Sequence, residues 1–289
     1  MRYQYALTNR LGNRASNQDR CTIQHGEDRA LLVVADGMGG HARGDLAAQA
    51  VVDTLARLFR EQEGPIPDPR AFLARALTRA HEQVVRVGQA QQPPIEPRTT
   101  CVACLVQGRS AWWAHVGDSR LYLLREGRTL VRTRDHAYVE ELLQRGEITE
   151  VEARHHPMRN SVSQCLGGSS SLPEASYGEI GELHRNDCLL LCSDGLWAAL
   201  PGNLLETLYD KPDLVRALEK LAEDAERASY PRSDNISAVA LRWLEHKVAR
   251  PAGEPAQAAP QPRDPLDAAI DEIQRAIAEY GNELEPGRK

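Results

Sequence analysis

The chain has 289 residues, of which 42% are hydrophobic and 26% are charged, with a formal net charge of −6. This composition is typical of a globular protein, and the negative charge argues against non-specific binding to nucleic acids, which needs a basic surface. No apolar run approaches the roughly 18 residues of a membrane span, and residues 1–9 lack the pattern of a signal peptide. We therefore expect a cytoplasmic protein that binds neither membranes nor nucleic acids.

The hydrophobic pattern predicts both strands and helices. Apolar or alternating runs predict strands at residues 2–8, 20–25, 31–35, 99–106, 111–116, 121–125, 129–133, 188–192 and 236–243. Apolar residues at helical spacing predict helices over residues 45–61, 68–90 and 212–228. Many strands are neighbours along the chain, and Glu126-Gly127-Arg128 is a favourable hairpin turn. These features predict an α+β fold with antiparallel sheets.

A polar insertion and a terminal helix complete the predicted organisation. Residues 135–182 hold two short predicted helices, 139–144 and 150–155, in polar sequence, as expected of a surface insertion that selects substrates beside a site. Residues 249–265 have the Pro- and Ala-rich composition of a linker. Apolar residues at helical spacing then predict an amphipathic helix over residues 266–285. This helix could dock on its own domain, bind a partner or a second copy of the chain, or stay partly frayed.

The cysteines are expected to be small buried hydrophobic residues. Cys101 and Cys104 form a C-x-x-C pair, which can mark a zinc or redox site. They lie in a predicted strand, however, where residues three apart point to opposite faces and cannot easily share a metal. We give Cys188 and Cys192, in the apolar run 188–192, the same interpretation.

Aspartates stand where several predicted strands begin or end. Asp36, Asp118 and Asp194 each follow a predicted strand, whereas Asp234 precedes the last one. Any one of them could belong to a plain turn, but four in one chain point to a shared site. Converging carboxylates repel one another unless cations neutralise them, and an all-oxygen ligand set suits Mg²⁺ or Mn²⁺ better than Zn²⁺. We also expect Gly37 to let a backbone carbonyl approach an ion closely.

The N-terminal segment supplies a cation. Arg14 lies between two predicted strands, close to the acidic site if the sheets order as expected. Arginine binds phosphate oxygens through two parallel hydrogen bonds. A carboxylate site for two metals with an adjacent arginine is the arrangement expected for metal-assisted hydrolysis of phosphoesters.

Taken together, the motifs resemble those of bacterial metal-dependent protein phosphatases of the 2C type, the PPM family. The resemblance covers about residues 1–245 and keeps both the order and the spacing of the motifs. The matching motifs are Arg14-x-x-Asn17-x-Asp19, Asp36-Gly37-Met38-Gly39-Gly40-His41, Val116-Gly117-Asp118-Ser119-Arg120, Asp135-His136, Cys192-Ser193-Asp194-Gly195-Leu196-Trp197 and Ser233-Asp234-Asn235-Ile236-Ser237. The resemblance implies a four-layer α-β-β-α sandwich, with two central antiparallel sheets flanked by helices and with residues 1–248 as the catalytic domain.

The resemblance also implies which residues bind metal. Asp36 is expected to bridge two Mn²⁺ or Mg²⁺ ions, with the carbonyl of Gly37 binding one of them. Asp194 and Asp234 then complete the ligands of the other ion. Asp118, together with Asp194, matches a third and weaker metal site of bacterial members.

Other residues are assigned supporting roles by the same resemblance. Arg14 matches the arginine that binds the substrate phosphate and is counted with Asp36, Asp194 and Asp234 as catalytic. Asp19 matches a carboxylate that holds metal-bound water, and Asn235 is expected to support the ligands without binding metal. The insertion at residues 135–182 is similar to the mobile flap of the family.

Two departures from the family pattern concern charge and proton donation. Gln18 stands where many relatives have a glutamate before the aspartate of the first motif. Met38 stands where animal members have their proposed proton-donating histidine, although methionine is common there in bacterial members. Either metal-bound water, which we favour, or His41, whose ordinary pKa of about 6.5 suits the task, is then the proton donor.

The function implied is that of a serine/threonine protein phosphatase, in which a metal-bridging hydroxide attacks phosphorus directly, without a phosphoenzyme. Its partners would be proteins phosphorylated on serine or threonine and the kinase that modifies them. One alternative is a pseudophosphatase that binds phosphopeptides or acts as a scaffold. Another is a phosphatase for a small metabolite, or a sigma-factor regulator. Metal-dependent phosphate release from a phosphopeptide separates the first two possibilities, and inactivity on sugar phosphates excludes a metabolite phosphatase.

Overall fold

Two five-stranded antiparallel sheets and one three-stranded sheet form the centre of the protein. The computed structural model describes residues 1–38, 43–159, 161–168, 171–200, 205–209 and 211–245. The first sheet has the order β1 (Arg2–Arg10), β13 (Ile236–Glu245), β12 (Cys188–Cys192), β8 (Arg120–Arg125) and β9 (Arg128–Arg132). The second has the order β11 (Ser176–Ile180), β7 (Ser110–Val116), β6 (Cys101–Gln107), β3 (Arg29–Ala35) and β2 (Arg20–His25). The small sheet has the order β10 (Leu166–Gly167), β5 (Arg98–Thr99) and β4 (Gly37–Met38).

Three of the described helices begin after residues whose side chains cap them. Those described are α1 (Gly44–Arg60), α2 (Pro69–Gln89), α3 (Tyr138–Gln144), α4 (Glu150–His155), α5 (Asp194–Trp197) and α6 (Leu214–Ser229), with a 3₁₀ turn at Glu206–Leu208. Asp68 caps α2 by accepting a hydrogen bond from the amide of Ala71. Asp213 caps α6 in the same way, so this helix begins at Leu214 and not at residue 212 as predicted.

Alternating apolar residues place each sheet between a helical layer and the other sheet. Along β3, Leu31 and Val33 pack among residues of α1 and α2, whereas Leu32 and Val34 pack against residues of the opposite sheet. The first sheet packs its other face against α5 and α6 in the same manner. The predicted four-layer α-β-β-α sandwich is therefore confirmed.

The cysteine pattern follows from the same alternation. Cys101 and Cys104 are buried and free, and they lie in the cores on opposite faces of β6. Cys188 and Cys192 are likewise buried, free thiols. The interpretation of all four as hydrophobic core residues is confirmed.

The insertion differs from expectation at its C-terminal end. Residues 176–180 form β11, which pairs with β7 at the edge of the second sheet and so belongs to the sandwich. An edge strand pairs on one side only and packs less of its surface, which explains why its polar sequence was not predicted as a strand. The predicted helices within the insertion are present as α3 and α4.

Strand direction brings several chain segments to one end of the sandwich. In the second sheet, Ala35 at the end of β3 lies opposite Arg20 at the start of β2. In the first sheet, Cys192 at the end of β12 lies opposite Arg120 at the start of β8. Loops that carry the aspartates of interest extend from these strand ends. No helix within the described ranges has the length and apolar character to cross a lipid bilayer.

Candidate active site

The predicted aspartates lie at this end of the sandwich, on loops or at the start of a helix. Asp36 follows β3, Asp118 connects β7 to β8, and Asp194 begins α5 directly after β12. Asp234 precedes β13, and Asp19 precedes β2. Asp19 and Asp118 are buried, whereas the other three are partly exposed, so the site opens to solvent on one side.

The backbone of Asp36 is fixed by the two threonines that follow each other in β5 and just after it. Its carbonyl oxygen accepts hydrogen bonds from the hydroxyl of Thr99 and the amide of Thr100, each 2.8 Å long. Its own amide donates to the hydroxyl of Thr100 over 3.1 Å. Because both backbone groups of Asp36 are held, the carboxylate projects from a fixed position.

Gly37 is required by close packing of three backbones. Its amide donates to the carbonyl of Gln18 over 3.2 Å. A Cβ atom at this position would lie 2.3 Å from the carbonyl oxygen of Gly44 and 2.6 Å from that of Gln18. Only glycine allows the chain after Asp36 to pass this closely, which explains the glycine in the motif.

Ser193, which follows β12, links Asp19 to Ser237 in β13. The hydroxyl of Ser193 donates to Oδ2 of Asp19 over 2.7 Å and accepts from the amide of Ser237 over 3.0 Å. Burial and the charge of Asp194 raise the pKa of Asp19 to about 7, although the hydrogen bond from Ser193 opposes this rise. The carboxyl group is therefore held at the floor of the site, beside Asp194.

The pKa values of Asp36, Asp118 and Asp194 are raised by the same two causes, burial and neighbouring carboxylates. Burial raises the pKa of Asp36 well above its usual range, and the charges of Asp19, Asp194, Asp118 and Asp234 raise it further. Burial and Asp194 raise the pKa of Asp118 to about 7. Burial and Asp234 raise the pKa of Asp194 to about 6, against a hydrogen bond with Asp36. The structure thus brings the predicted carboxylates together, at a cost in mutual repulsion.

Arg14 lies directly against this acidic group. Its Nη2 atom donates to Oδ2 of Asp234 over 2.5 Å, and more than half of the arginine side chain stays exposed. Arg14 also opposes the rise in the pKa of Asp194. The arginine therefore supplies the positive charge at the open side of the site.

Asn235 holds the loop that carries Arg14. Its Nδ2 atom donates to the carbonyls of Leu11 and Ser16 over 2.9 and 3.1 Å. Its Oδ1 atom accepts from the amide of Gln18 over 2.8 Å. Asn235 thus fixes both ends of the loop and thereby the position of Arg14 next to Asp234.

The donor set fits a hard divalent cation, although the ligands are not pre-assembled. Within the described ranges, no three Asp, Glu, His or Cys side chains form a ready-made metal-binding group. Asp234 is paired with Arg14 instead, so a cation that uses this carboxylate competes with the guanidinium. The type of donor matches Mg²⁺ or Mn²⁺, since both ions prefer oxygen ligands and the site offers carboxylate oxygens with an excess of negative charge.

Two expectations from the sequence lie outside the described residues. These are His41, the alternative proton donor, and the C-terminal linker and helix at residues 249–285. Met38 is described and pairs with Arg98 in the small sheet.

Sequence reasoning assigned no role to Ser193, Arg120 and Trp197. Ser193 binds Asp19, and Arg120 forms a bidentate pair with Asp135 at the start of the insertion. Trp197 donates to the carbonyl of Asp118. The one sequence feature that could have indicated a role for these residues is their position inside the aspartate motifs, next to the predicted ligands.

Comparison with known proteins gives the same family over most of the chain. A profile of the protein phosphatase 2C family matches residues 8–249. The serine/threonine protein phosphatase PstP of Mycobacterium tuberculosis is 35% identical over 234 residues, which cover 81% of this chain but only 43% of PstP. The serine/threonine phosphatase Stp of Listeria welshimeri is 30% identical over 238 residues, covering 80% of this chain and 91% of Stp.

Solved structures agree with the sequence matches. The catalytic domain of PstP, crystallised in complex with two manganese ions, superposes with a TM-score of 0.70 at 31% identity. The superposition covers 84% of this chain and 99% of that domain. The chain belongs to the protein phosphatase 2C family.

Proposed function

We propose that this chain is a metal-dependent serine/threonine protein phosphatase that hydrolyses phosphoserine and phosphothreonine in proteins. The observation that carries the proposal is the group of mutually repelling aspartates at one end of the sandwich, with Arg14 against Asp234. Family membership supports it, as do the names of relatives that align over about four-fifths of the chain.

The proposed cofactors are two Mn²⁺ or Mg²⁺ ions, with a third, weaker site. Asp36, the carbonyl of Gly37, Asp194 and Asp234 would hold the first two, and Asp118 with Asp194 the third. When bound, such ions activate water for attack on phosphorus and neutralise phosphoryl oxygens. The all-oxygen donor set and the two manganese ions in the PstP structure support this assignment.

Arg14 orients the phosphate. A guanidinium has five N–H donors, and the ion pair with Asp234 uses one of them, which leaves the others for phosphate oxygens. Because Asn235 fixes the Arg14 loop, the bound phosphate is held next to the carboxylates and its developing charge is offset there.

The test is phosphate release from a phosphothreonine peptide by the full chain. We expect release with Mn²⁺, none after chelation by EDTA, and at most about a thousandth of the wild-type rate from the Asp36→Asn variant under the same conditions. Binding of the peptide without release would indicate a phosphopeptide-binding scaffold. Faster release from sugar phosphates than from peptides would indicate a metabolite phosphatase.

We also propose a cytoplasmic setting in which the enzyme opposes a serine/threonine kinase. The six cysteines are all free thiols, as a reducing compartment maintains them. Phosphoserine and phosphothreonine arise by kinase action, so a kinase must supply the substrate.

The last part of the proposal concerns the C-terminal segment. We assign the catalytic domain to residues 1–248, the linker to 249–265 and a docking helix to 266–285. Deletion of residues 249–289 is expected to change peptide dephosphorylation by no more than a few-fold. A lower melting temperature of the truncated protein would indicate docking in cis, and unchanged stability with loss of a complex would indicate a partner.

A further inference from the structure

Arg120, the first residue of β8, connects this strand to Asp135, the first residue of the insertion. Its Nε and Nη2 atoms donate to the two carboxylate oxygens of Asp135 over 2.8 and 2.6 Å. The side chains of Arg120 and Asp135 are only 13% and 8% exposed. A bidentate pair that is this well buried holds both partners in one geometry.

Trp197 joins the same arginine to Asp118 itself. The guanidinium carbon of Arg120 lies 3.4 Å from the centroid of the Trp197 ring, a stacked cation–π contact. The indole N–H of Trp197 donates to the backbone carbonyl of Asp118 over 3.0 Å. Trp197 ends α5, the helix that begins with Asp194, so one short helix contacts both aspartates of the weaker metal site.

The insertion contacts the adjacent peptide as well. The amide of His136 donates to the carbonyl of Gly117 over 3.0 Å, and the amide of Gly117 donates to Nδ1 of His136 over 3.3 Å. On the other side, the hydroxyl of Ser119 lies 2.7 Å from that of Thr100. The backbone of Gly117 and the carbonyl of Asp118 are therefore held, and the side chain of Ser119 is anchored, so the Asp118 carboxylate projects from a fixed point of the chain.

We propose that Arg120 and Trp197 are positioning residues for Asp118, which they hold in the orientation needed to bind a divalent cation while anchoring the insertion through Asp135. This inference rests on the proposed function, because Asp118 acts there only as a metal ligand. Metal ligands depend on such supporting contacts, and loss of one typically weakens metal binding by about 10- to 100-fold.

The chain offers matched controls for both residues. Arg125, at the other end of β8, forms an equally short bidentate pair with Asp187, at 2.7 and 2.6 Å. Trp112 donates its indole N–H to Glu179 over 3.1 Å, away from Asp118. Arg125→Lys and Trp112→Phe therefore remove the same kinds of contact without touching the proposed metal site.

The test is a titration of the metal-free full chain with Mn²⁺, followed by electron paramagnetic resonance, which counts free and bound ions directly. We expect Trp197→Phe and Arg120→Lys to weaken the weakest-bound Mn²⁺ by about tenfold or more. Trp112→Phe and Arg125→Lys should bind as the wild type does, even where their melting temperature falls. Trp197→Phe removes the N–H donor but keeps an aromatic ring for the stacking on Arg120, so it tests the inference even if Arg120→Lys does not fold.

Unchanged Mn²⁺ affinity in Trp197→Phe would overturn the positioning role, and so would equal losses in the two control variants. In either case a wild-type protein that releases phosphate with Mn²⁺ leaves the proposed function intact. A wild-type protein that binds no Mn²⁺ would overturn both.

Discussion

Asp187 and Asp118 are both buried aspartates that shortly precede a strand of the first sheet, but they lie at opposite ends of it. Asp187 is fully buried and accepts two hydrogen bonds from Arg125 and a third, of 2.8 Å, from the amide of His184. Asp118 instead lies beside Asp194, whose charge adds to burial in raising its pKa to about 7.

The contrast separates an aspartate that stabilises the fold from one suited to binding a ligand. A buried carboxylate with its arginine and its N–H donors is satisfied, and loss of either partner leaves an uncompensated charge. A group of buried carboxylates that raise one another's pKa costs stability until a cation binds, and such perturbed groups cluster at functional sites. The following predictions test this distinction.

The largest loss of activity is expected from a substitution at the end of the sheets that carries Asp36, Asp118, Asp194 and Asp234, here called the acidic end. Asp36→Asn removes a charge from the proposed ligand set and should lower phosphopeptide turnover by at least about 1000-fold, or about 4 kcal/mol. The melting temperature of the metal-free variant should not fall, because repulsion with the neighbouring aspartates is relieved. Steady-state kinetics and calorimetry check both parts. Retention of more than about a tenth of the turnover would rule out a bridging role.

At the other end of the first sheet, where Asp187 lies, we expect a substitution to lower stability and to leave activity unchanged. Asp187→Ala leaves the guanidinium of Arg125 without its carboxylate and should lower the free energy of unfolding by about 3–5 kcal/mol in urea titrations. Turnover of the folded fraction should stay near that of the wild type. A variant that keeps its stability but loses activity would contradict the division between the two ends.

Arg14→Ala tests the cation of the acidic end. Loss of one charged phosphate contact should lower kcat/KM for a phosphopeptide by about 2–4 kcal/mol. Mn²⁺ affinity should not fall, because Asp234 is freed from its ion pair. Arg10→Ala, which removes the arginine at the end of β1 that pairs with Glu226 of α6, serves as the control and should keep normal kinetics. Normal kinetics in Arg14→Ala itself would make Arg14 an ordinary surface residue.

The smallest effect is a pH dependence of the metal-free protein. The pKa values of Asp19 and Asp118 are raised from 3.8 to about 7, and that of Asp194 to about 6. Between about pH 4 and 7 these three carboxyl groups therefore bind more protons in the native than in the unfolded state, so their contribution to stability falls as the pH rises. Burial lowers the pKa of His136 to about 4, and this histidine opposes the fall.

We expect a loss of at least about 1.4 kcal/mol over this interval, the equivalent of one pKa unit at one carboxyl group. Urea titrations of EDTA-treated protein at several pH values measure it, and saturating Mn²⁺ should flatten the slope. The same pH dependence with and without Mn²⁺ would contradict the proposed mutual repulsion, because only the aspartates of the site respond to the metal.

Sequence periodicity was sufficient for the large elements. Strands β3 and β12 are continuous apolar runs, and α6 has an apolar stripe, so each has a pattern long enough to be recognised. The two-residue strands of the small sheet are too short to show any period. The edge strand β11 is polar because it packs against the sandwich on a limited surface, so its sequence resembled a loop.

The site, too, has features that the sequence predicts and contacts that it does not. Aspartates at strand ends are visible in the sequence, and the fold brings those ends together. The contacts that fix them join distant parts of the chain, such as Ser193 with Asp19 and Asn235 with Gln18. No local pattern encodes such pairs, because they depend on which strands become neighbours. The ion pair between Arg14 and Asp234 was not predicted for the same reason.

A crystal structure with Mn²⁺, in which anomalous scattering locates the ions, tests the central claim most directly. We predict two strong anomalous peaks within coordination distance of Asp36 and Asp194, with a weaker third peak at Asp118. Asp234 should then bind an ion in addition to Arg14 or in its place. Peaks located elsewhere, or an acidic end without any manganese at millimolar concentration, would contradict the account.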